Sequence, residues 1–210
     1  MATPREHADG CARTWSIQRT VKAIQFTFNE RKAAQAAARL LDLNGGEMNY
    51  LALMKLLYLA DRKALLQLGM PITGDRIVAM KHGPVLSRVF DLISQKKQTL
   101  PQSEWHKFIP RPGSYTYTVR FSGVPETDEL SEAEIAVLDG VFAEFRSYDQ
   151  WALVDFTHKL PEWQDPQETS VPISFEEILR KEKVSEETIA DLAERADADR
   201  AMDAILARVA

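Results

Sequence analysis

Apolar residues recur at helical spacing along most of this chain, and glycine and proline interrupt them at several points. Residues 29–44 are rich in Ala and Leu and stop at Gly45, as is typical of a helix C-terminus. Residues 49–68 repeat Leu and Ala mostly at three- and four-residue steps, so they predict a second helix. Gly69 ends this helix, and Pro71 prevents its continuation.

The next segments carry weaker patterns. Residues 76–81 form a short apolar run that fits either a buried strand or a single helical turn. Pro84 is expected to begin a helix that continues to about Lys97, since the N–H that proline lacks is unpaired at the first helical position anyway. Residues 105–109 and 115–121 are expected to pair as a small antiparallel hairpin across a Pro-Arg-Pro-Gly turn.

Side chains that cap helix N-termini predict the later helices. Two of them, Ser131 and Ser174, are followed three residues later by a glutamate, which is the pattern of a capping box. The helix that begins after Asp149 should end before Pro161. The predicted N-terminal capping residues are Ser131, Asp149, Ser174 and Ser185.

These elements predict a mainly α fold: a compact helical domain with a small antiparallel β-hairpin, plus a C-terminal helical extension. We expect a flexible N-terminal segment at 1–25, the helical domain at 26–170 and an acidic extension at 171–210. A chain of 210 residues, 45% of them hydrophobic, is long enough to bury the core of such a domain.

Composition indicates a soluble cytoplasmic protein. The single cysteine, Cys11, cannot form an intramolecular disulfide, which fits a reducing compartment. No apolar run approaches the roughly 18–20 residues that span a bilayer, so no membrane association is expected. The first 15 residues lack the apolar core of a signal peptide.

The net charge of −5 hides an uneven distribution along the sequence. Residues 1–125 carry 18 Lys and Arg against 9 Asp and Glu, and residues 126–210 carry 8 against 22. The balances are therefore +9 and −14. Such a division marks either an interaction surface or, as the favoured interpretation, a solvated helical tail with acidic residues on its exposed faces.

Catalytic and cofactor signatures have no support in the sequence. The four histidines form no H-E-x-x-H pair and there is no cysteine cluster, so neither a metal nor a zinc-dependent reaction is expected. The glycines follow no nucleotide-binding spacing, and no serine lies in a G-x-S-x-G turn. We therefore expect no cofactor and no enzymatic activity.

A polar stripe lies on the second predicted helix. Lys55, Tyr58 and Arg62 are separated by three and four residues and share one face. The stripe either faces a partner protein or folds back to hold residues 73–81 by hydrogen bonds. Beside it, Asp61 follows an apolar run, so its pKa could be raised, but an ion pair with Arg62 or a distant lysine is the favoured interpretation.

The segment Lys81-His82-Gly83-Pro84 also has two interpretations. A helix N-terminus beside a lysine attracts anions, which makes phosphate a possible ligand. The favoured interpretation is structural, with a tight turn entering a helix whose first turn contains Ser87.

Three pieces of this region, in order and closely spaced, are similar to the signature of the Panacea domain. They are KLLYLADR at 55–62, PITGD at 71–75, and VAMKHGPV with a serine two residues later at 78–87. This domain defines the SocA-like antitoxin family, whose members also include phage-associated proteins. Residues 157–163 resemble the end of the same domain, so the resemblance covers about 30–165.

The resemblance implies a mostly helical antitoxin that neutralises a toxin encoded beside it by direct binding. It also leaves open an adaptor role, in which the protein delivers its toxin to an ATP-dependent protease. The resemblance assigns these residues to the family motif or to partner contact: Lys55, Tyr58, Asp61, Arg62, Thr73, Asp75, Lys81, His82, Gly83, Pro84 and Ser87.

Two other classes of function, a small-ligand binder or enzyme and a DNA-binding protein, are alternatives to the antitoxin role. A small-ligand binder or enzyme could use Tyr58, Asp61, Asp75 and His82 around a groove, but no catalytic geometry is set by their spacing. DNA binding is permitted by the basic first 125 residues, yet no helix-turn-helix pattern supports it and the acidic second part opposes it. The sequence defines neither the toxin nor an oligomeric state.

Overall fold

The structure, a computed structural model, describes residues 23–94, 103–109, 118–121, 123–206 and 208. Over these residues the protein is mainly helical, with short antiparallel strands, as the sequence predicts. The helices are α1 (Glu30–Leu43), α2 (Tyr50–Leu68), α3 (Ser87–Ser94), α4 (Glu104–Phe108), α5 (Glu132–Phe145), α6 (Gln150–Thr157), α7 (Phe175–Lys181) and α8 (Glu186–Leu206). The strands are β1 (Glu47–Asn49), β2 (Ile77–Met80), β3 (Gly83–Leu86), β4 (Thr118–Arg120) and β5 (Val171–Ile173).

Local capping fixes the ends of the helices that the sequence predicts best. The side chain of Asn29 accepts a hydrogen bond from the Lys32 N–H at the start of α1. Ser131 and Glu134 complete the predicted capping box of α5, so two of its N-terminal N–H groups are satisfied. Gly69 ends α2 with a φ of +79°, a left-handed conformation that glycine adopts without steric cost.

Helix α2 lies at the centre of the fold. It packs against α1, α5, α6 and α7 and against strand β3. Its apolar residues from Ala52 to Leu65 are almost all buried, which explains why its apolar positions surround the helix instead of forming one stripe. The polar residues Lys55, Tyr58 and Asp61 of α2 therefore face other parts of the protein.

The predicted helix start at Pro84 is wrong. Pro84 lies in β3, which pairs antiparallel with β2, so residues 76–81 resolve into a strand and not a helical turn. Helix α3 begins three residues later, at Ser87. Proline is tolerated in β3 because that strand is the edge of the three-stranded sheet β3-β2-β5, where an N–H is not needed on the outer side.

The predicted hairpin is also wrong. Residues Glu104–Phe108 form helix α4, whose start is held by Glu30, since this carboxylate accepts hydrogen bonds from the Ser103 hydroxyl and the Trp105 N–H. Strand β4 pairs instead with β1, with Met48 opposite Val119. The expected turn at 110–113 lies outside the described residues.

The segment after residue 170 is built onto the rest of the protein. Strand β5 pairs with β2, and Ile178 of α7 and Ile189 of α8 are buried in the core. Ser174 caps α7 by accepting from the Glu177 N–H. At the other end, the backbone N–H of Ile24 donates to the buried carboxylate of Glu176, so part of the expected N-terminal segment is anchored here.

Candidate functional site

The three residues of the polar stripe of α2 belong to two hydrogen-bonded networks. Lys55 contacts the β2–β3 turn, whereas Tyr58 and Arg62 contact Glu162. Lys55 and Tyr58 have no exposed surface, and Arg62 is half-buried. The Tyr58 hydroxyl donates to a carboxylate oxygen of Glu162 at 2.5 Å, and the Arg62 Nε donates to the same oxygen at 2.7 Å. Arg62 also pairs with Glu182 at the end of α7. Glu162 thus joins α2 to the chain that follows α6, a role that sequence periodicity does not reveal.

The charge state of Glu162 follows from these contacts. Burial opposes its charged form, but hydrogen bonds from Arg62 and Tyr58 outweigh burial and hold its pKa below the usual value. Burial and the neighbouring carboxylate raise the pKa of Tyr58 well above its usual value, so this phenol stays protonated and donates. The cluster is therefore a paired, structural one at neutral pH.

Asp61 is hydrogen-bonded, and among the described residues it has no ion-pair partner, contrary to the favoured interpretation. Its carboxylate accepts from the Thr73 N–H at 3.0 Å and from the Thr73 hydroxyl at 2.5 Å. Burial raises its pKa to about 7, and the two bonds from Thr73 only partly offset this effect. The alternative interpretation of Asp61, a raised pKa, is therefore the one that its burial supports, and Asp61 of α2 holds Thr73 by hydrogen bonds.

Asp75 acts as a remote helix cap. One of its carboxylate oxygens accepts from the N–H groups of Arg88 and Val89 in the first turn of α3, at 2.8 and 2.9 Å. The Asp75 N–H in turn donates to the Thr73 hydroxyl oxygen, which links this cap to Asp61. The helix N-terminus, at which an anion is the alternative interpretation, is therefore capped by a carboxylate of the chain itself. The helix begins at Ser87, where the backbone N–H donates to the Arg76 carbonyl.

Lys55 stabilises the β2–β3 turn by a hydrogen bond. Its ammonium donates to the Pro84 carbonyl at 2.8 Å, and burial lowers its pKa to about 7. Gly83, next to this hydrogen bond, has a φ of +87°. A Cβ at this position would stand 2.6 Å from the Thr157 hydroxyl and 2.9 Å from the Lys55 nitrogen. Only glycine fits this turn without displacement.

His158 and Trp163, the residues that resemble the end of the Panacea domain, also contact the β2–β3 turn. Their rings stack with centroids 3.9 Å apart, and the Trp163 Nε1 donates to the Met80 carbonyl at 3.3 Å. Burial, followed by the positive charge of Lys55, lowers the pKa of His158. The β2–β3 turn is thus fixed by side chains from α2 and from the segment after α6.

Of the residues assigned to the motif, Lys81 and His82 are exposed. Lys81 pairs with Glu168 on the surface, and the ring of His82 meets that of Trp151 edge-on with centroids 5.7 Å apart. These side chains border a groove of about 510 Å³ between the β2–β3 turn and the first turns of α2 and α6. Sequence reasoning missed Trp151, and the signal nearest to it is the capping Asp149, which indicates a helix start there.

No group of three or more metal-ligating side chains occurs among the residues that the structure describes. In the same part of the chain, no helix has the length and apolar character needed to cross a bilayer. The structure brings Asp61, Thr73 and Asp75 together, and separately Lys55, Gly83 and Pro84. Tyr58 and His82 belong to neither set.

The fold and these contacts define a helical domain organised around a braced β-turn, and family comparison identifies its class. A family model described as antitoxin SocA-like, Panacea domain, matches residues 53–164, more than half of the chain. The protein belongs to this SocA-like antitoxin family. Searches of curated proteins and of solved structures found no match.

Proposed function

We propose that this protein is an antitoxin that neutralises its cognate toxin by direct protein–protein binding in the cytoplasm. The observation that carries the proposal is the match to the SocA-like antitoxin family over residues 53–164. This range contains α2 from Leu53 onward, the β2–β3 turn and α6, and the hydrogen-bonded networks around Lys55 and Glu162 lie within it apart from Glu182. A toxin partner follows from family membership, and a catalytic role for this chain does not.

Burial indicates that some motif residues have a structural role and do not contact the toxin. Lys55, Tyr58, Asp61, Thr73 and Asp75 are all buried, so they shape the domain and offer no surface to a partner. Contacts with a toxin must therefore come from other, exposed residues of the protein. A small-ligand or enzymatic role for Tyr58, Asp61, Asp75 and His82 is disfavoured, because Tyr58 is engaged by Glu162 and the two aspartates by backbone groups.

The experiment that tests the proposal uses the reading frame next to the gene for this protein. Expression of that frame alone should arrest growth, and co-expression of this protein should restore it. The two proteins should also co-purify as a complex. A neighbouring product that arrests growth but is neither bound nor neutralised by this protein would contradict the antitoxin assignment.

Toxin abundance separates direct inhibition from delivery to a protease. A direct inhibitor leaves the amount of toxin unchanged or increased while growth recovers. An adaptor lowers the amount of toxin, and this loss should disappear in cells that lack the ATP-dependent protease. We expect the first result.

A further inference from the structure

The groove beside the β2–β3 turn combines an apolar lining with an open edge. Its volume of about 510 Å³ lies in the range of sites that enclose a ligand or a few side chains, roughly 300–1,000 Å³. Two methionines contribute to the lining, and methionine surfaces adapt readily to the shape of a partner. The apolar lining includes Tyr50, Met54, Met80, Val85, Phe90 and Trp151.

Trp151 gives the groove an energetic anchor for a protein partner. Its side chain is 53% exposed, although the rest of the apolar lining is buried or half-buried. Tryptophan is among the residues that most often dominate the binding energy of an interface, particularly beside a pocket that a partner can fill. The edge-on contact with His82 holds the indole at the rim of the groove.

The polar groups of the groove indicate the charge of the occupant. Among the described residues that line it, Lys81 and His82 are the ionisable ones apart from the Tyr50 phenol, and no carboxylate is present. Lys81 is paired with Glu168, but both side chains are well exposed, so a partner carboxylate can replace Glu168 at little cost. The first turn of α2 also borders the groove, and it contains no acidic residue.

We propose that this groove is the surface through which the protein holds its toxin, and that the occupant is an apolar segment of the toxin flanked by acidic residues. The proposal rests on the antitoxin function and names the contact surface for it. The apolar side chain of the segment enters between Met54, Met80 and Trp151. Its acidic neighbour lies over Lys81, where the charges are complementary, and within reach of the His82 ring.

Substitution of exposed residues tests the groove without disturbing the core. Trp151→Ala should weaken toxin binding by about 30-fold, as expected for an interface tryptophan. Lys81→Glu should slow association, and the effect should shrink as salt increases. Ile205→Ala is the matched control, because Ile205 is 56% exposed and does not line the groove. Circular dichroism and thermal unfolding confirm that each variant is folded.

A selection that does not depend on the toxin separates this proposal from the antitoxin assignment. Random short peptides displayed on phage are selected against the wild-type protein and then tested against Trp151→Ala. Peptides that share an apolar anchor beside Asp or Glu, and that fail to bind the variant, support the groove even if the neighbouring frame proves harmless. Selected peptides that bind both proteins equally would overturn it.

Toxin binding gives the second decisive readout. If the wild-type protein neutralises the toxin and Trp151→Ala does so with unchanged affinity, the groove is not the contact surface, although the antitoxin function stands. Two other occupants also have distinct outcomes. A wild-type dimer that becomes monomeric in Trp151→Ala would assign the groove to a second copy of this chain, and a metabolite that raises the melting temperature of the wild type alone would assign it to a small ligand. Either result replaces the toxin as the occupant.

Discussion

The hydroxyl of Tyr58 in α2 donates a 2.5 Å hydrogen bond to the carboxylate of Glu162, which lies 104 residues later in the chain. Both side chains are buried, and Arg62 completes the cluster from the next turn of α2. The three residues therefore join the centre of the fold to the segment that follows α6. A buried carboxylate held in this way is costly to lose, because its partners cannot regain water.

Glu162→Ala should lower the free energy of unfolding by about 3 kcal/mol, since it leaves the buried Tyr58 hydroxyl without an acceptor and the half-buried Arg62 with Glu182 as its remaining partner. Urea denaturation at neutral pH measures this change. Glu168→Ala is the control, because Glu168 pairs with Lys81 on the surface and its removal should cost less than about 1 kcal/mol. Equal effects of the two substitutions would contradict a structural role for the cluster.

Asp61→Asn should remove part of the dependence of stability on pH. Burial raises the pKa of Asp61 from 3.8 to about 7 in the folded protein, so the fold favours the protonated form. The stabilisation from this group is present below pH 3.8 and is lost as pH rises to about 7, by up to roughly 4 kcal/mol. Unfolding free energies of both proteins across this range should show a smaller decline in the variant, and parallel curves would disprove the assignment.

Lys55→Met should act in a different pH range. Burial lowers the pKa of Lys55 from 10.5 to about 7, so the folded state disfavours the ammonium. This destabilisation is complete below about pH 7 and is relieved as pH rises towards 10.5. The wild type should therefore gain stability relative to the variant over this interval, by up to about 5 kcal/mol. A constant difference between the two proteins would show that Lys55 titrates normally.

Gly83→Ala should destabilise the protein by more than about 3 kcal/mol, for two reasons. The alanine Cβ would clash with Thr157 and Lys55, and a residue with a side chain disfavours the left-handed backbone at this position. Gly45→Ala separates these causes. Gly45 also has a φ of +79°, but no atom lies within 4 Å of the place that an alanine Cβ would occupy, so its substitution should cost only about 1–2 kcal/mol. Thermal unfolding of the pair measures the contribution of the crowded turn.

The sequence predicts those parts of the fold that depend on neighbouring residues. The caps at Asn29, Ser131 and Asp149 each satisfy N–H groups two or three residues ahead, so their helices begin where local patterns place them. The prediction for Pro84 is wrong because its local preference for a helix start is outweighed by pairing with β2. The prediction for Trp105 is wrong because Glu30, which holds the start of α4, lies 75 residues away in the chain.

In the candidate site, too, residues that lie close together in the sequence are predicted, and contacts with residues distant in the chain are not. The family resemblance identifies residues 55–87 as a unit, and the structure shows how Asp61 and Lys55 hold it together. Neither Glu162 nor Trp151 can be found from the sequence. Glu162 is a single charged residue in a loop, and Trp151 follows no helical period that would separate an exposed position from a buried one.

The uneven charge of the chain has a consequence for its synthesis. Several acidic residues of the second part pair with basic residues of the first, as in Arg31–Asp128, Arg39–Asp139 and Arg62–Glu162. Because synthesis runs from the N-terminus, the first 125 residues, with their excess of nine positive charges, are made before these acidic partners. Folding to completion must wait for the later residues. During that interval the nascent chain has a net positive charge, and the acidic residues that follow neutralise it within the same molecule.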